Sequence, residues 1–169
     1  MISTRLALLS LLDAACLEYQ LYEHPPIFTS EDGEQYCSHI PGQHVKNLFL
    51  RNEKKTTYWL VTIKYQKRVD LSKLAKILND GRLSFANHYD LKNMLGVTPG
   101  SVTPVAIIND HANRVKLIID QELLQEEYIN IHPIENTATI TAKLTDLQNF
   151  IEKRHQIKID FVMIPEKAV

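Results

Sequence analysis

Apolar positions follow a helical rhythm in some stretches of the chain and alternate, or run together, in others. Leu6, Leu9, Leu12 and Cys16 repeat at helical spacing behind Ser3, which predicts a first helix to about Leu17. Gln20–His24 reads as a short strand, stopped where Pro25-Pro26 removes donors and fixes the backbone. Thr29 or Ser30 caps a second short helix through Tyr36, with Glu31 and Asp32 in the first turn, where the helix dipole favours carboxylates. Beyond the Pro41-Gly42 turn, Val45–Arg51 and Thr57–Tyr65 read as neighbouring strands joined by a polar connection.

The second half keeps mixing the two rhythms. Asp70 caps a helix to about Leu78, with Leu71, Leu74, Ala75 and Leu78 in one stripe and Asn79-Asp80-Gly81 ending it. Leu83–Ala86 is a brief strand, and Tyr89–Leu95 a helix stopped by Gly96. The segment from Gly96 to Pro104 then holds two glycines and two prolines in nine residues. Strands are expected at Val105–Asn109, Val115–Ile119, Tyr128–His132 and Thr137–Ala142, then a helix Thr145–His155 and a last strand from Lys158 to about Met163. Helices and strands do not alternate strictly, so the class is α+β with a mixed β-sheet and surrounding helices.

Composition narrows the possibilities. A chain of 169 residues with 44% hydrophobic residues fills one core, so 1–169 reads as a single domain. Nineteen Lys and Arg against twenty Asp and Glu exclude a uniformly basic coat but leave room for a local basic face. Two cysteines cannot build a disulfide framework, and Cys16, at the end of an apolar segment, reads as a buried thiol. The N-terminal apolar runs are too short and too interrupted by Ser10 and Asp13 to span a membrane, and no signal-peptide cleavage pattern follows. The expectation is a cytoplasmic protein with no membrane partner.

Several chemistries fail on spacing. None of the seven histidines pairs with another at helical metal-ligand spacing, and neither phosphate-binding glycine motifs nor a G-x-S-x-G elbow are present. Four features remain. Lys46 shares a strand face with Leu48 and Leu50, where a lysine must find water, an anion or a carbonyl. In the Gly96–Pro104 loop, backbone N–H groups at Gly100, Ser101 and Val102 are open to an oxyanion or a small amino acid, the plainer alternative being a rigid connection. His132-Pro133, with Asn136-Thr137 behind it, places an imidazole either in the core or at a cleft edge. Finally, Lys64, Lys67, Arg68, Lys73 and Lys76 surround a single carboxylate, Asp70, a pattern that suits a solvated face or a phosphate backbone.

Lys46-Asn47-Leu48-Phe49-Leu50 preceded by Gly42, then Gly96–Pro104, then His132-Pro133 with Asn136-Thr137, resemble in order and spacing the YbaK/ProX editing domains, over about Leu17 to Phe161. Within that family they look like the free-standing alanyl-tRNA(Pro) deacylase branch. The resemblance implies a trans-editing hydrolase acting on mischarged Ala-tRNA(Pro), with aminoacyl-tRNA as partner, prolyl-tRNA synthetase as a transient one, and no metal or cofactor. It assigns catalytic roles to Lys46, Asn47 and His132, and substrate binding to Gly96, Thr98, Pro99, Gly100, Ser101 and Asn136. tRNA binding falls to Lys64, Lys67, Arg68, Lys73 and Lys76, and no general base is assigned. Deacylation of a Cys- or Ser/Thr-charged tRNA, or a non-catalytic tRNA- or synthetase-binding module, stands as the alternative.

Overall fold

A computed structural model describes residues 1–169. Its elements are α1 (Arg5–Ala14), β1 (Tyr19–Glu23), α2 (Ser30–Cys37), β2 (Gln43–Asn52), β3 (Tyr58–Lys64), α3 (Leu71–Ile77), β4 (Leu83–Phe85) and α4 (His88–Leu95). They continue with β5 (Val115–Asp120), β6 (Tyr128–Ile131), β7 (Ala138–Lys143), α5 (Leu144–His155) and β8 (Asp160–Val162). Two short 3-10 helices lie at Pro104–Asn109 and Gln121–Gln125. The eight strands form one mixed sheet in the order β1-β7-β6-β2-β3-β5-β8, with β4 paired to β2. The α+β class with helices around a mixed sheet is what the sequence predicts.

Successive side chains of a strand point to opposite faces, and here each face has its own core. Phe49, Leu60, Leu117 and Ile119 enter a cluster of 28 buried residues covered by α1, α4, α5 and the first 3-10 helix. Leu50, Trp59, Val61 and Ile118 enter a smaller cluster of nine, closed by Leu74 and Ala75 of α3 and by Ile164. β3 is therefore buried on both faces, which explains its Tyr-Trp-Leu-Val-Thr-Ile run, broken only by Thr62.

Three local expectations give way. Val105–Asn109 is not a strand: with Pro104 at its start it closes as a 3-10 helix, every residue buried beneath the sheet. A short apolar run fits a buried helical turn as well as a strand, and β5 already occupies the place beside β3. The buried stripe of α1 is Leu8 and Leu12, Leu6 being exposed, and the cap is Thr4, whose hydroxyl accepts from the Ala7 N–H, rather than Ser3. Cys16 is exposed, because the helix ends two residues earlier and the chain turns there through a left-handed φ of 56°. The buried thiol is Cys37.

The sheet has a gap. β2 is paired along one edge with β3 from Val45 to Arg51. Its other edge meets β6 only at Gln43 and His44, in parallel, and β4 only from Leu50 to Asn52. Between these anchors the edge at Val45–Leu48 carries no partner strand, although it lies in the middle of the sheet.

Candidate active site

The gap in the sheet brings two of the three sequence motifs face to face, and the third is joined to it where Asn47 donates to the Val102 carbonyl. Val45, Lys46 and Asn47 run along one side, and β6 ends on the other at Ile131, directly before His132. A cavity of about 320 Å³ opens there, lined by Ile27, Gly33 and Cys37 from around α2, by His44 and Val45, and by Asn130, His132 and Thr139. In an antiparallel ladder alternate residues direct their backbone groups to alternate edges. The Phe49 carbonyl accepts from the Ala86 N–H at the open edge, so the Asn47 N–H and C=O, two residues earlier, also face the gap.

His132 is a wall of this cavity. Its Nδ1 lies 3.2 Å from the Ala138 carbonyl oxygen. A carbonyl only accepts, so Nδ1 carries the proton and Nε2 holds the lone pair. Burial holds the ring's pKa below the usual imidazole value; the Ala138 carbonyl opposes that, and His24 and His44 add to it. The neutral ring is thus the resting form, with Nε2 an acceptor.

Two further histidines support it. His24 Nδ1 lies 2.8 Å from the Pro25 carbonyl, leaving Nε2 to accept from the Thr139 hydroxyl at 2.9 Å. The His24 and His132 rings are 6.5 Å apart. His44 is likewise held below its usual pKa, chiefly by burial. Sequence reasoning missed His24, His44, Asn130 and Thr139, because each belongs to the cavity only through strand pairing that has no local signature. No three His, Cys, Asp or Glu side chains are arranged to hold a metal ion.

Lys46 stands one residue beyond Val45, on the β2 face it shares with Leu48 and Leu50, as its alternation predicts. It is half-buried and makes neither a hydrogen bond nor an ion pair within the chain. Burial lowers its pKa, and the neighbouring positive charge of Arg68 lowers it further. A half-buried cation with a second positive charge in its surroundings and no carboxylate partner is open to an anion.

The other predicted cations do not form one free face. Lys67 is buried, with Nζ 2.7 Å from Asp120 and 3.1 Å from Glu122, so it serves as an internal ion pair and not as a phosphate contact. Lys64 is paired with Glu126 at 2.7 Å, and Lys73 lies 3.6 Å from Asp70. Arg68 and Lys76 are exposed and make no ion pair.

The glycine-proline loop is a built turn. The Ser101 N–H donates to the Thr98 carbonyl at 3.0 Å, and Gly100 has φ +86°. Proline at the second position and a left-handed glycine at the third make this a type II turn. The Ser101 N–H is therefore spent on the turn and its side chain is buried, a correction to its reading as an anion donor. Thr98, Pro99 and Gly100 are exposed at the tip, and a Cβ on Gly100 would lie 3.8 Å from both Asn136 Nδ2 and the Ile27 carbonyl. Gly96 is elsewhere: it caps α4 with φ +69°, and a Cβ there would collide with Met1 Sδ at 2.8 Å, so it packs against the N-terminal residue.

One asparagine fixes this loop to the sheet and another fixes the Ile27 segment. Asn47 Nδ2 donates to the Val102 carbonyl at 3.0 Å while its Oδ1 accepts from Thr62 at 2.7 Å. Asn136 Nδ2 donates to the Ile27 carbonyl at 3.1 Å, and the Ile27 N–H donates back to the Asn136 carbonyl. Both side-chain amides, expected to touch substrate, are engaged within the chain.

Residues 24–150 match the family model described as aminoacyl-tRNA editing domain. The chain is 36% identical over 152 residues to prolyl-tRNA synthetase associated domain-containing protein 1 of Bos taurus, covering 88% of each chain. It is 32% identical over 146 residues to the prolyl-tRNA editing protein ProX of Acetoanaerobium sticklandii, covering 86% of this chain and 89% of that one. Among solved structures, a candidate trans-editing enzyme for prolyl tRNA synthetase superposes with a TM-score of 0.69 at 19% identity, over 99% of this chain and 100% of the other, a likeness of fold.

Proposed function

The chain belongs to the aminoacyl-tRNA editing domain family and is an aminoacyl-tRNA deacylase, and from that premise we propose that its substrate is alanine wrongly esterified to tRNA(Pro). The single observation that carries this reading is the small cavity in the sheet gap, with His132 on its wall and the unpaired Lys46 next in the chain to its lining residue Val45.

The proposed chemistry follows from those groups. Ester hydrolysis needs a water held near the carbonyl carbon, donors for the developing oxyanion, and an accepted proton. His132 Nε2 is the acceptor that orients the water and takes its proton. The Asn47 backbone N–H in the open edge, or the Lys46 ammonium, answers the oxyanion. The ester's alkoxy oxygen leaves as the terminal ribose hydroxyl, taking the proton back. Lys46 and Arg68 together suit the phosphate that joins the terminal nucleotide to the chain.

Selectivity is a matter of size. Proline exceeds alanine by two ring methylenes, worth about 1.5 kcal/mol of favourable transfer at about 0.8 per methylene in a roomy site. A roomy site therefore destroys the correct product, so the pocket must exclude proline sterically. We assign the excluding wall to the turn at Thr98–Ser101, closed by its own Ser101-to-Thr98 hydrogen bond and held to the sheet where Asn47 donates to the next carbonyl along, that of Val102. No helix is long and apolar enough to cross a membrane, and we place the activity in the cytoplasm, where a synthetase releases mischarged tRNA; any association with prolyl-tRNA synthetase is transient.

The test is deacylation of purified Ala-tRNA(Pro) and Pro-tRNA(Pro), with Cys- and Ser-charged tRNAs as controls. Rapid loss of alanine with proline retained supports the reading. Preference for a Cys- or Ser-charged tRNA moves the substrate, and no acceleration over the uncatalysed rate removes it.

A further inference from the structure

An exposed aromatic side chain needs no explanation when it stands alone on a surface, but Phe28 stands in a particular place. It directly follows Ile27, which lines the cavity, and it is 78% exposed. The backbone that carries it is held from both sides. Asp32 Oδ2 accepts from the Phe28 and Thr29 N–H groups, each at 2.9 Å, and the Thr29 hydroxyl accepts in return from the Asp32 N–H at 3.1 Å, a capping box at the start of α2. Ahead of it, Ile27 is fixed through both its N–H and its carbonyl to Asn136. Hydrogen bonds on either side thus present a large ring to water at the cavity's edge.

We propose that Phe28 is the stacking platform for the terminal adenine of the substrate. The proposal rests on the deacylase reading and deepens it. The amino acid is joined to the ribose of that nucleotide, so when the ester enters the cavity the base must lie outside it, one sugar away. A solvent-facing aromatic ring, carried on a fixed backbone next to the cavity-lining Ile27, meets a base face there, and each base has a π-face to offer. The anion room between Lys46 and Arg68 accounts for the phosphate, the cavity for the amino acid, and Phe28 for the base, so the three parts of the terminal nucleotide have separate receptors. Phe28 acts through placement and touches none of the reacting atoms.

Two measurements test this. The first is steady-state deacylation of an alanyl-RNA minihelix by Phe28→Ala, Phe28→Leu and Phe28→Trp. Losing one base stack costs on the order of tenfold in affinity. KM is expected to rise about that much in Phe28→Ala and Phe28→Leu, with kcat nearly unchanged and Phe28→Trp close to wild type. The second is fluorescence titration of an uncharged minihelix whose terminal base is 2-aminopurine, which is quenched on stacking. Quenching by the wild type and by Phe28→Trp, absent in Phe28→Ala, is expected. Equal KM in wild type and Phe28→Ala, full function in Phe28→Leu, or quenching that survives Phe28→Ala overturns the platform. If the wild type hydrolyses no aminoacyl-RNA, the deacylase reading falls separately, and the titration still decides the role of Phe28 by the same criteria.

Discussion

Lys67 separates what a run of charge suggests from what the fold does with it. Its ammonium lies 2.7 Å from Asp120, a carboxylate with no exposed surface, and 3.1 Å from Glu122. At an effective dielectric constant of about 20, a pair at that separation attracts by roughly 6 kcal/mol before desolvation is subtracted. Replacing Lys67 by Met keeps the apolar stem and removes only the charge. Asp120 is then left buried with the Glu122 N–H as its remaining donor, at 3.3 Å. Stranding one partner of a buried pair costs about 3–5 kcal/mol. In a domain of this size each kcal/mol lowers Tm by about 2–4 °C, so the expected loss is roughly 6–20 °C. Calorimetry measures it, and tRNA binding at a temperature where the variant is folded supplies the control. The slope of log affinity against log salt is expected to stay as in the wild type for Lys67→Met. For exposed Arg68→Ala it is expected to drop by about one while Tm holds. A Lys67→Met protein that melts with the wild type but loses a unit of salt slope would refute the internal pair and return Lys67 to the phosphate backbone.

Other expectations follow from the site. Lys46→Ala is expected to lose most deacylation, at least about tenfold in kcat/KM, with circular dichroism unchanged; near-wild-type turnover would remove Lys46 from the site. His132 is held below the ordinary imidazole value of 6.5, chiefly by burial. The neutral acceptor form therefore persists to lower pH, and the acid limb of kcat/KM, which reports the free enzyme, is expected to have its midpoint below 6.5 and to vanish in His132→Gln; a midpoint at or above 6.5 contradicts the assignment. The same depressed pKa means that the unfolded chain binds the proton more readily, so stability falls as pH drops below about 6.5 and levels off once the folded ring is protonated. That sign is read by denaturant titrations at pH 7.5 and pH 5.5. Pro99→Gly, which loosens the turn, is expected to raise Pro-tRNA(Pro) deacylation relative to Ala-tRNA(Pro), whereas Gly100→Val, strained at φ +86°, is expected to slow both. An unchanged ratio and alanine rate in both variants would make the loop a connector only.

Local chemistry was written in the sequence wherever a residue's partners lie within a few positions. Asp70 and Thr29 cap their helices, Pro99-Gly100 forms the turn its composition demands, and the burial of β3 on both faces shows as an apolar run broken only by Thr62. The motif residues Lys46, His132 and Gly100 could also be named from the chain, because each carries an unusual group in an otherwise regular pattern. Tertiary structure alone decided what those residues face. The cavity exists because β2 is paired at both ends of one edge and bare between them, and that depends on strands β4 and β6, more than thirty and more than eighty positions away in the chain. The side chains of Asn47 and Asn136 became struts because Val102 and Ile27 offer them carbonyls at hydrogen-bonding distance. Lys67 was turned inward by Asp120, more than fifty residues on, and Val105–Asn109 was coiled instead of extended because its place in the sheet was already filled. Periodicity fixes which face of an element is apolar. Which charge, carbonyl or strand edge meets that element is a property of three-dimensional pairing, and no short window of sequence contains both partners.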